Sequence, residues 1–217
     1  MIELINLGKK FGNRNLFQYV NLTIFPGDFV TIMGKSGSGK STLLNILGFL
    51  DSDYSGEFLF DTHLVNKMTL EERELLRNKE VGYIFQSFNL INEYNVLENV
   101  ELPLGYRGID IKQRQELSLS MLEKVGLSDK IKEYPKNLSG GEQQRVSIAR
   151  TLVTNPRIIL ADEPTGNLDE QTGIEIMNLF DAIHSQGVTV VMVTHDKDLA
   201  KRGNKKLRLL DEKVIEI

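Results

Sequence analysis

The chain has 217 residues, 41% of them hydrophobic, a formal net charge of −4 and no cysteine. That length and apolar content suffice for a real core, whereas the mild acidity argues against a nucleic-acid binder held mainly by phosphate contacts, so no nucleic acid is expected as a partner. Without cysteine there is no disulfide, thiolate chemistry or cysteine-ligated zinc, and with neither a signal peptide nor a run approaching about 18 apolar residues the chain reads as neither secreted nor membrane-spanning.

In chain order, MIELINL and VNLTIFPGDF alternate between Gly and Asn punctuation, which predicts antiparallel strands on a sheet edge. FVTIM (29–33) does not alternate, and neither do RIILA (157–161) and VTVVMVT (188–194). Such short β-rich runs read as central parallel strands buried on both faces. Helical spacing marks TLLNILGFL from Thr42, TLEERELLRNKE from Thr69, the stretch after Ser139, and QTGIEIMNLFDAIHSQ from Gln171. The region from about Gln86 to Lys136 is mostly helical and holds no convincing strand. The order is βαβ-like, so an α/β chain is expected, with a sheet-containing core interrupted by a helical subdomain and no repeat, linker or low-complexity tract.

GKSGSGKS, Gly34 to Ser41, matches G-x-x-x-x-G-K-[ST] directly after a predicted strand and before a predicted helix. Glycines at 34, 37 and 39 let the backbone curl so that successive amides point at phosphate oxygens, while Lys40 supplies a point charge to the β and γ groups and Ser41 a hydroxyl for Mg²⁺. The chain therefore reads as a nucleoside-triphosphate binder. IILADE (158–163) is a buried strand ending in two carboxylates. Asp162 can reach Mg²⁺ through its water shell, and Glu163 can act as the general base for the attacking water.

LSGGEQQRVSIAR (138–150) carries Val146, Ile148, Ala149, Leu152 and Val153 at helical spacing, which reads as one apolar stripe. Ser139 followed by Glu142 fits a helix capping box. The glycines at 140 and 141 fit a box poorly, since glycine costs roughly 1 kcal/mol in a helix interior. A helix N-terminus with bare amides and a serine hydroxyl is equally an anion site.

With GKSGSGKS, LSGGEQQR and ILADEP together, the chain resembles the ATP-binding cassette (ABC) ATPases over essentially its whole length. The resemblance implies a P-loop NTPase core with a mixed sheet, an antiparallel β subdomain and a helical subdomain at roughly 87–136, all within a single domain, 1–217. It implies ATP and Mg²⁺ as cofactors and an ATP-dependent head-to-tail dimer with a second copy of the chain. Ser139, Gly140 and Gly141 would then serve the γ-phosphate of the partner's nucleotide. Gln86 in YIFQSFNL looks like the glutamine that ligates Mg²⁺ or its water, and His195 in VMVTHD like the histidine that contacts the γ-phosphate. Asp169 matches the loop that crosses the dimer interface, and Phe11, 29 residues before Lys40, lies where the family stacks a ring on adenine. Lys35, Ser36, Ser38 and Thr42 complete the nucleotide-contacting set around the loop.

FQSFNLINEYNVLENVELPL and EPTGNLD are most similar to the group containing MacB macrolide exporters, LolD lipoprotein-releasing ATPases, FtsE and antimicrobial-peptide transporters. Asp53 and Tyr54 in GFLDSDYSGE depart from that group, which commonly has a proline there. Only 22 residues follow His195, so no regulatory domain is expected. Repair relatives need a long coiled-coil insertion and translation-factor relatives two cassettes, which disfavours both. The resemblance implies a peripheral ATPase on the cytoplasmic face of the cell membrane, the subunit of an ABC transporter or of a MacB-like mechanotransmission complex, powering separate permease chains for export or extraction of a peptide, lipoprotein or drug. The permease is expected on the helical subdomain, at Phe88, Leu90, Ile91, Tyr94 and Val96.

Overall fold

A computed structural model describes residues 1–217. The chain opens with strands β1 (Ile2–Phe11) and β2 (Arg14–Ile24), then β3 (Phe29–Gly34), helix α1 (Lys40–Leu47), and strands β4 (Ser55–Phe60) and β5 (His63–Leu64). Next come α2 (Leu70–Glu80), β6 (Val81–Ile84), α3 (Val96–Tyr106), α4 (Ile111–Lys124) and α5 (Gly140–Leu152). The chain closes with β7 (Ile158–Asp162), α6 (Glu170–Ser185), β8 (Thr189–Val193), the short α7 (Lys197–Ala200), β9 (Lys205–Leu210) and β10 (Lys213–Glu216). No helix is long and apolar enough to cross a membrane.

The strands build two sheets. The larger has the order β10-β9-β3-β8-β7-β6, parallel from β9 to β6, with β10 antiparallel on the β9 edge. The smaller is wholly antiparallel, in the order β2-β1-β4-β5. The alternating strands of the first 30 residues are antiparallel, with β2 on a sheet edge, as their pattern suggested, and the sheet is a separate one, the antiparallel β subdomain that the resemblance implied. The reason lies in β4, which pairs with the free side of β1 from Ile2–Phe60 to Gly8–Ser55 and completes a surface on which Ile2, Leu4 and, beyond a register shift, Leu7 are buried. That surface shares one core with Leu43, Leu44 and Leu47 of α1 and with Val30, Leu160 and Val191 of the main sheet. Burial of this face drives the arrangement.

The opposite face of the main sheet, through Ile159, Ala161, Val190 and Met192, packs on Ile176, Met177, Phe180 and Ile183 of α6. A third core belongs to the helical subdomain and contains Val96, Val100 and Leu104 of α3 together with Leu122 at the end of α4. The stripe expected on α5 is divided between the second and third cores. Val146, Ala149 and Val153 join the helical subdomain, whereas Ile148 and Leu152 pack against the α6 side of the sheet. Helix α5 is thus a wedge shared by two cores.

Helix boundaries follow local chemistry. Thr69, Asn95 and Ser139 each form a reciprocal capping box with the glutamate three residues on, which fixes the starts of α2, α3 and α5. Helix α1 starts two residues earlier than its apolar spacing suggested and ends at Leu47, where Gly48 closes it with N–H bonds to Ile46 and Leu44 carbonyls.

Candidate functional site

The loop between β3 and α1 is shaped by its glycines. Gly39 caps α1 at φ 101°, a conformation that L side chains rarely adopt. A Cβ on Gly34 would lie 2.8 Å from the Leu209 carbonyl oxygen, so only glycine fits against β9. Lys40 is 92% shielded, and its ammonium folds back to donate to the carbonyl oxygens of Gly34 at 3.0 Å and Lys35 at 3.1 Å. No carboxylate pairs with it, so its charge stands at the loop for an anion.

This loop floors a cleft of about 690 Å³. Gly34, Ser36, Gly37, Gly39, Lys40, Ser41 and Thr42 line it, together with Phe11 from the end of β1 and with Gln86, Glu163 and His195. These last three follow β6, β7 and β8, so they converge beyond the carboxyl ends of parallel strands, where open α/β sheets place their ligands. Phe11 is 78% exposed, which leaves its ring face free for a flat ligand. Glu163 sits in a left-handed conformation, φ 47°, braced by its N–H on the Val193 carbonyl and by its own carbonyl under the Gly166 N–H. Its Oε2 lies 2.5 Å from Nδ1 of His195. Burial pushes the Asp162 carboxyl above its ordinary range, and the Glu163 charge adds to this, whereas the Ser41 side chain and the Lys40 charge pull it down.

No three His, Cys, Asp or Glu side chains cluster closely enough to hold a metal unaided. The donor set of Ser41, Gln86 and Asp162 instead supplies hard oxygens with a single carboxylate, which fits Mg²⁺ completed by phosphates and water rather than an all-protein cage.

Other predicted residues lie elsewhere. Lys35 and Ser38 line a neighbouring cleft on the far side of the loop, facing Leu209 and Leu210. Ser139, Gly140, Gly141 and Asp169 do not line the main cleft. The Ser139 N–H donates to Glu142 Oε2 at 2.8 Å and its hydroxyl accepts from the Glu142 N–H at 3.3 Å, so the capping box is real. The two glycines have a packing reason as well. A Cβ on Gly141 would fall 2.4 Å from Thr172 Cγ2, and one on Gly140 3.3 Å from Leu168. Asp169 caps α6 and accepts from the Thr172 hydroxyl at 2.6 Å.

The expected docking patch is only partly a surface. Val96 is fully buried and Leu90 packs on the helical subdomain's core, leaving Tyr94 as its exposed ring. Two exposed apolar side chains outside that patch are Tyr106, 77% exposed, and Leu50, 48% exposed. Both line a second cleft of about 740 Å³ with Phe85, Leu102 and Pro103.

Three further side chains escaped the motif reading. Arg14 borders the main cleft, Asn167 donates to the Gln86 carbonyl at 2.9 Å, and Arg150 donates to the carbonyls of Asn89 at 2.7 Å and Phe88 at 2.9 Å. Those two carbonyls belong to consecutive left-handed residues, φ 57° and 49°. Burial pushes the Arg150 guanidinium below its ordinary value.

A glycine-shaped phosphate loop entering a helix, faced by a carboxylate and a histidine at the neighbouring strand ends, defines a P-loop nucleoside triphosphatase. Residues 17–166 match the family described as ABC transporter, and the chain belongs to the ATP-binding proteins of that family. It is 45% identical over 221 residues to the uncharacterised ABC transporter ATP-binding protein MJ1508 of Methanocaldococcus jannaschii, covering 100% of this chain and 99% of that one. It is 43% identical to the pyoverdine export ATP-binding/permease protein PvdT of Pseudomonas aeruginosa and 41% identical to the macrolide export ATP-binding/permease protein MacB of Campylobacter jejuni. Those alignments cover 99% of this chain but 33% and 34% of the relatives, so the chain spans about a third of their length. Among solved structures, the dimeric cassette MJ0796 in a post-hydrolysis state bound to ADP and Pi superposes with TM-score 0.90 at 43% identity, covering 100% of this chain and 98% of that one. The chain is an ATP-binding and ATP-hydrolysing subunit of the MacB-like group.

Proposed function

We propose that the chain closes head to tail on a second copy of itself around two Mg-ATP molecules, reopens after hydrolysis, and so drives a separate permease from the cytoplasmic face of the membrane. The observation that carries this reading is the convergence of Lys40, Gln86, Glu163 and His195 on one cleft over the Gly34–Ser41 loop. Within it, the Glu163 carboxylate orients and deprotonates the attacking water. The His195 imidazole fixes that carboxylate through Nδ1 and presents its other edge to the γ-phosphate. Lys40 and the loop amides hold the β and γ groups, and Phe11 stacks on the adenine. Ser41, Asp162 and Gln86 hold Mg²⁺, which supplies charge neutralisation on the phosphates when bound.

Ser139, Gly140 and Gly141 serve the partner's γ-phosphate, and Asp169 lies on the stretch that meets the partner. The dimeric state of the MJ0796 structures supports this assembly. The names of the PvdT and MacB relatives, which print pyoverdine export and macrolide export, support an export role, and the cargo proposed is a peptide, lipoprotein or drug. The cleft walled by Tyr106, Leu50 and Leu102 is the seat for the permease, since it presents apolar side chains beside the loop that carries Gln86.

The test is phosphate release from Mg-ATP by the purified chain, as a function of protein concentration. Turnover per chain should rise with concentration, because each site needs a partner. A rate independent of concentration at high dilution would overturn the composite-site reading.

A further inference from the structure

Of the three side chains assigned to the metal, Gln86 alone sits in a loop beyond its strand rather than at the end of a regular element. A primary amide there has two chemically opposite ends. Its oxygen attracts a cation or accepts from a water, and its NH₂ repels the first and cannot do the second. Something must therefore decide which end meets the cleft.

Asn167 supplies that decision. Its Nδ2 donates to the main-chain oxygen of Gln86 at 2.9 Å. A carbonyl oxygen only accepts, so the Asn167 amide has one permitted orientation. Its Oδ1 is then turned to the Gln86 side chain and accepts from Nε2 at 3.4 Å. With its nitrogen end turned to Asn167 through one N–H, Gln86 keeps Oε1 as the acceptor end for the cleft that it lines. The neighbouring residue makes room for this pairing, since a Cβ on Gly166 would lie 2.8 Å from Gln86 Nε2.

We propose that Asn167 is a positioning residue that presents Gln86 to the nucleotide site by its acceptor oxygen. The proposal rests on the reading of Gln86 as a ligand of Mg²⁺ or its water. Asn167 also stands two residues before Asp169, so the stretch assigned to the dimer interface and the metal-facing amide are joined by one pair of hydrogen bonds.

The test compares the purified wild-type chain with Gln86→Ala, Asn167→Ala and the double variant, by binding of a fluorescent ATP analogue at increasing free Mg²⁺ and in EDTA. The melting temperatures should be unchanged, because Asn167 and Gln86 are exposed, and each variant's nucleotide affinity in EDTA is the reference against which its Mg²⁺ stimulation is read. Gln86→Ala should raise the Mg²⁺ concentration for half-maximal stimulation about tenfold, and Asn167→Ala about threefold to tenfold, as loss of a neutral orienting contact does. The double variant should be no worse than Gln86→Ala alone. If Gln86→Ala shifts the Mg²⁺ requirement but Asn167→Ala does not, or if the two effects multiply, Asn167 does not act through Gln86 and the proposal falls while the ligand reading stands. If Gln86→Ala itself shifts nothing, the ligand reading falls and takes the proposal with it.

Discussion

His195 and Glu163 meet through Nδ1 and Oε2 at 2.5 Å, across the ends of two neighbouring parallel strands, although Glu163 must hold a left-handed backbone to do so. A non-glycine residue in that region costs on the order of 1 kcal/mol or more. The turn tolerates it because the Glu163 N–H and carbonyl are both satisfied, by Val193 and Gly166. An amide keeps the shape and cannot accept the proton. Glu163→Gln should therefore lower hydrolysis by roughly 10²–10⁴ while ATP binding persists. Light scattering should show an ATP-dependent dimer of this variant and a monomer without nucleotide; a monomer at saturating ATP would argue against a shared site.

Lys40 has only the carbonyls of Gly34 and Lys35 as partners in the chain. Its removal strips the cleft of the one ammonium aimed at the phosphates. Lys40→Ala should weaken Mg-ATP binding by roughly ten- to a hundredfold in calorimetry, the value of a charge-assisted hydrogen bond or two. Unchanged affinity would mean that the loop is only a turn.

Ser139 separates binding from turnover. It lies outside the cleft, and losing its capping contacts costs about 1 kcal/mol, which the fold absorbs. Ser139→Arg should therefore bind ATP like the wild type and fail to close or turn over. In a heterodimer with Lys40→Ala chains, one composite site carries both lesions and the other neither. Purified mixed dimers should trap ATP at the intact site although both parents are inactive. Absence of any trapped ATP above the parents would return LSGGEQ to a purely capping role.

The pH dependence of stability has a defined contributor far from the cleft. Arg157, beside β7, holds Asp61 in the β4–β5 turn through bonds of 2.9 and 3.3 Å. That hydrogen bonding, against a modest burial cost, keeps the Asp61 carboxyl below its usual range. A lowered folded value means that the pair stabilises above the unfolded pKa of about 3.9 and is lost as pH falls through the folded value. Both side chains are 40% or more exposed, so solvent screening limits the effect. Asp61→Asn should cost about 0.5 kcal/mol in urea unfolding at neutral pH and nothing in strong acid. An equal loss at both pH values would mean that packing, not charge, was removed.

The phosphate loop and the acidic strand end were legible because their chemistry needs particular residues at fixed spacing after a strand. The parallel strands were legible too, since FVTIM and VTVVMVT are buried on both faces and cannot alternate. Alternation in β1 and β2 revealed antiparallel strands but not which sheet they join, because that depends on β4 pairing across 50 residues of chain. The stripe on α5 concealed two faces, since Val146 and Ile148 are equally apolar and only their neighbours differ. Val96 read as surface for the same reason. Asn167 and Arg150 left no mark in the sequence, because both donate to main-chain carbonyls, and a carbonyl looks the same at every residue.

The division of α5 between two cores gives that helix the properties of a strut. Its 13 residues span about 20 Å. Both of its long sides are packed, so bending it would disturb two cores at once. Ser139 sits at one end. At the other, the Arg150 guanidinium grips the carbonyls of Phe88 and Asn89, in the segment that begins with Gln86. One regular helix therefore separates the capping serine from the backbone of the segment that begins with Gln86. What fixes that separation is apolar packing on both sides of the helix.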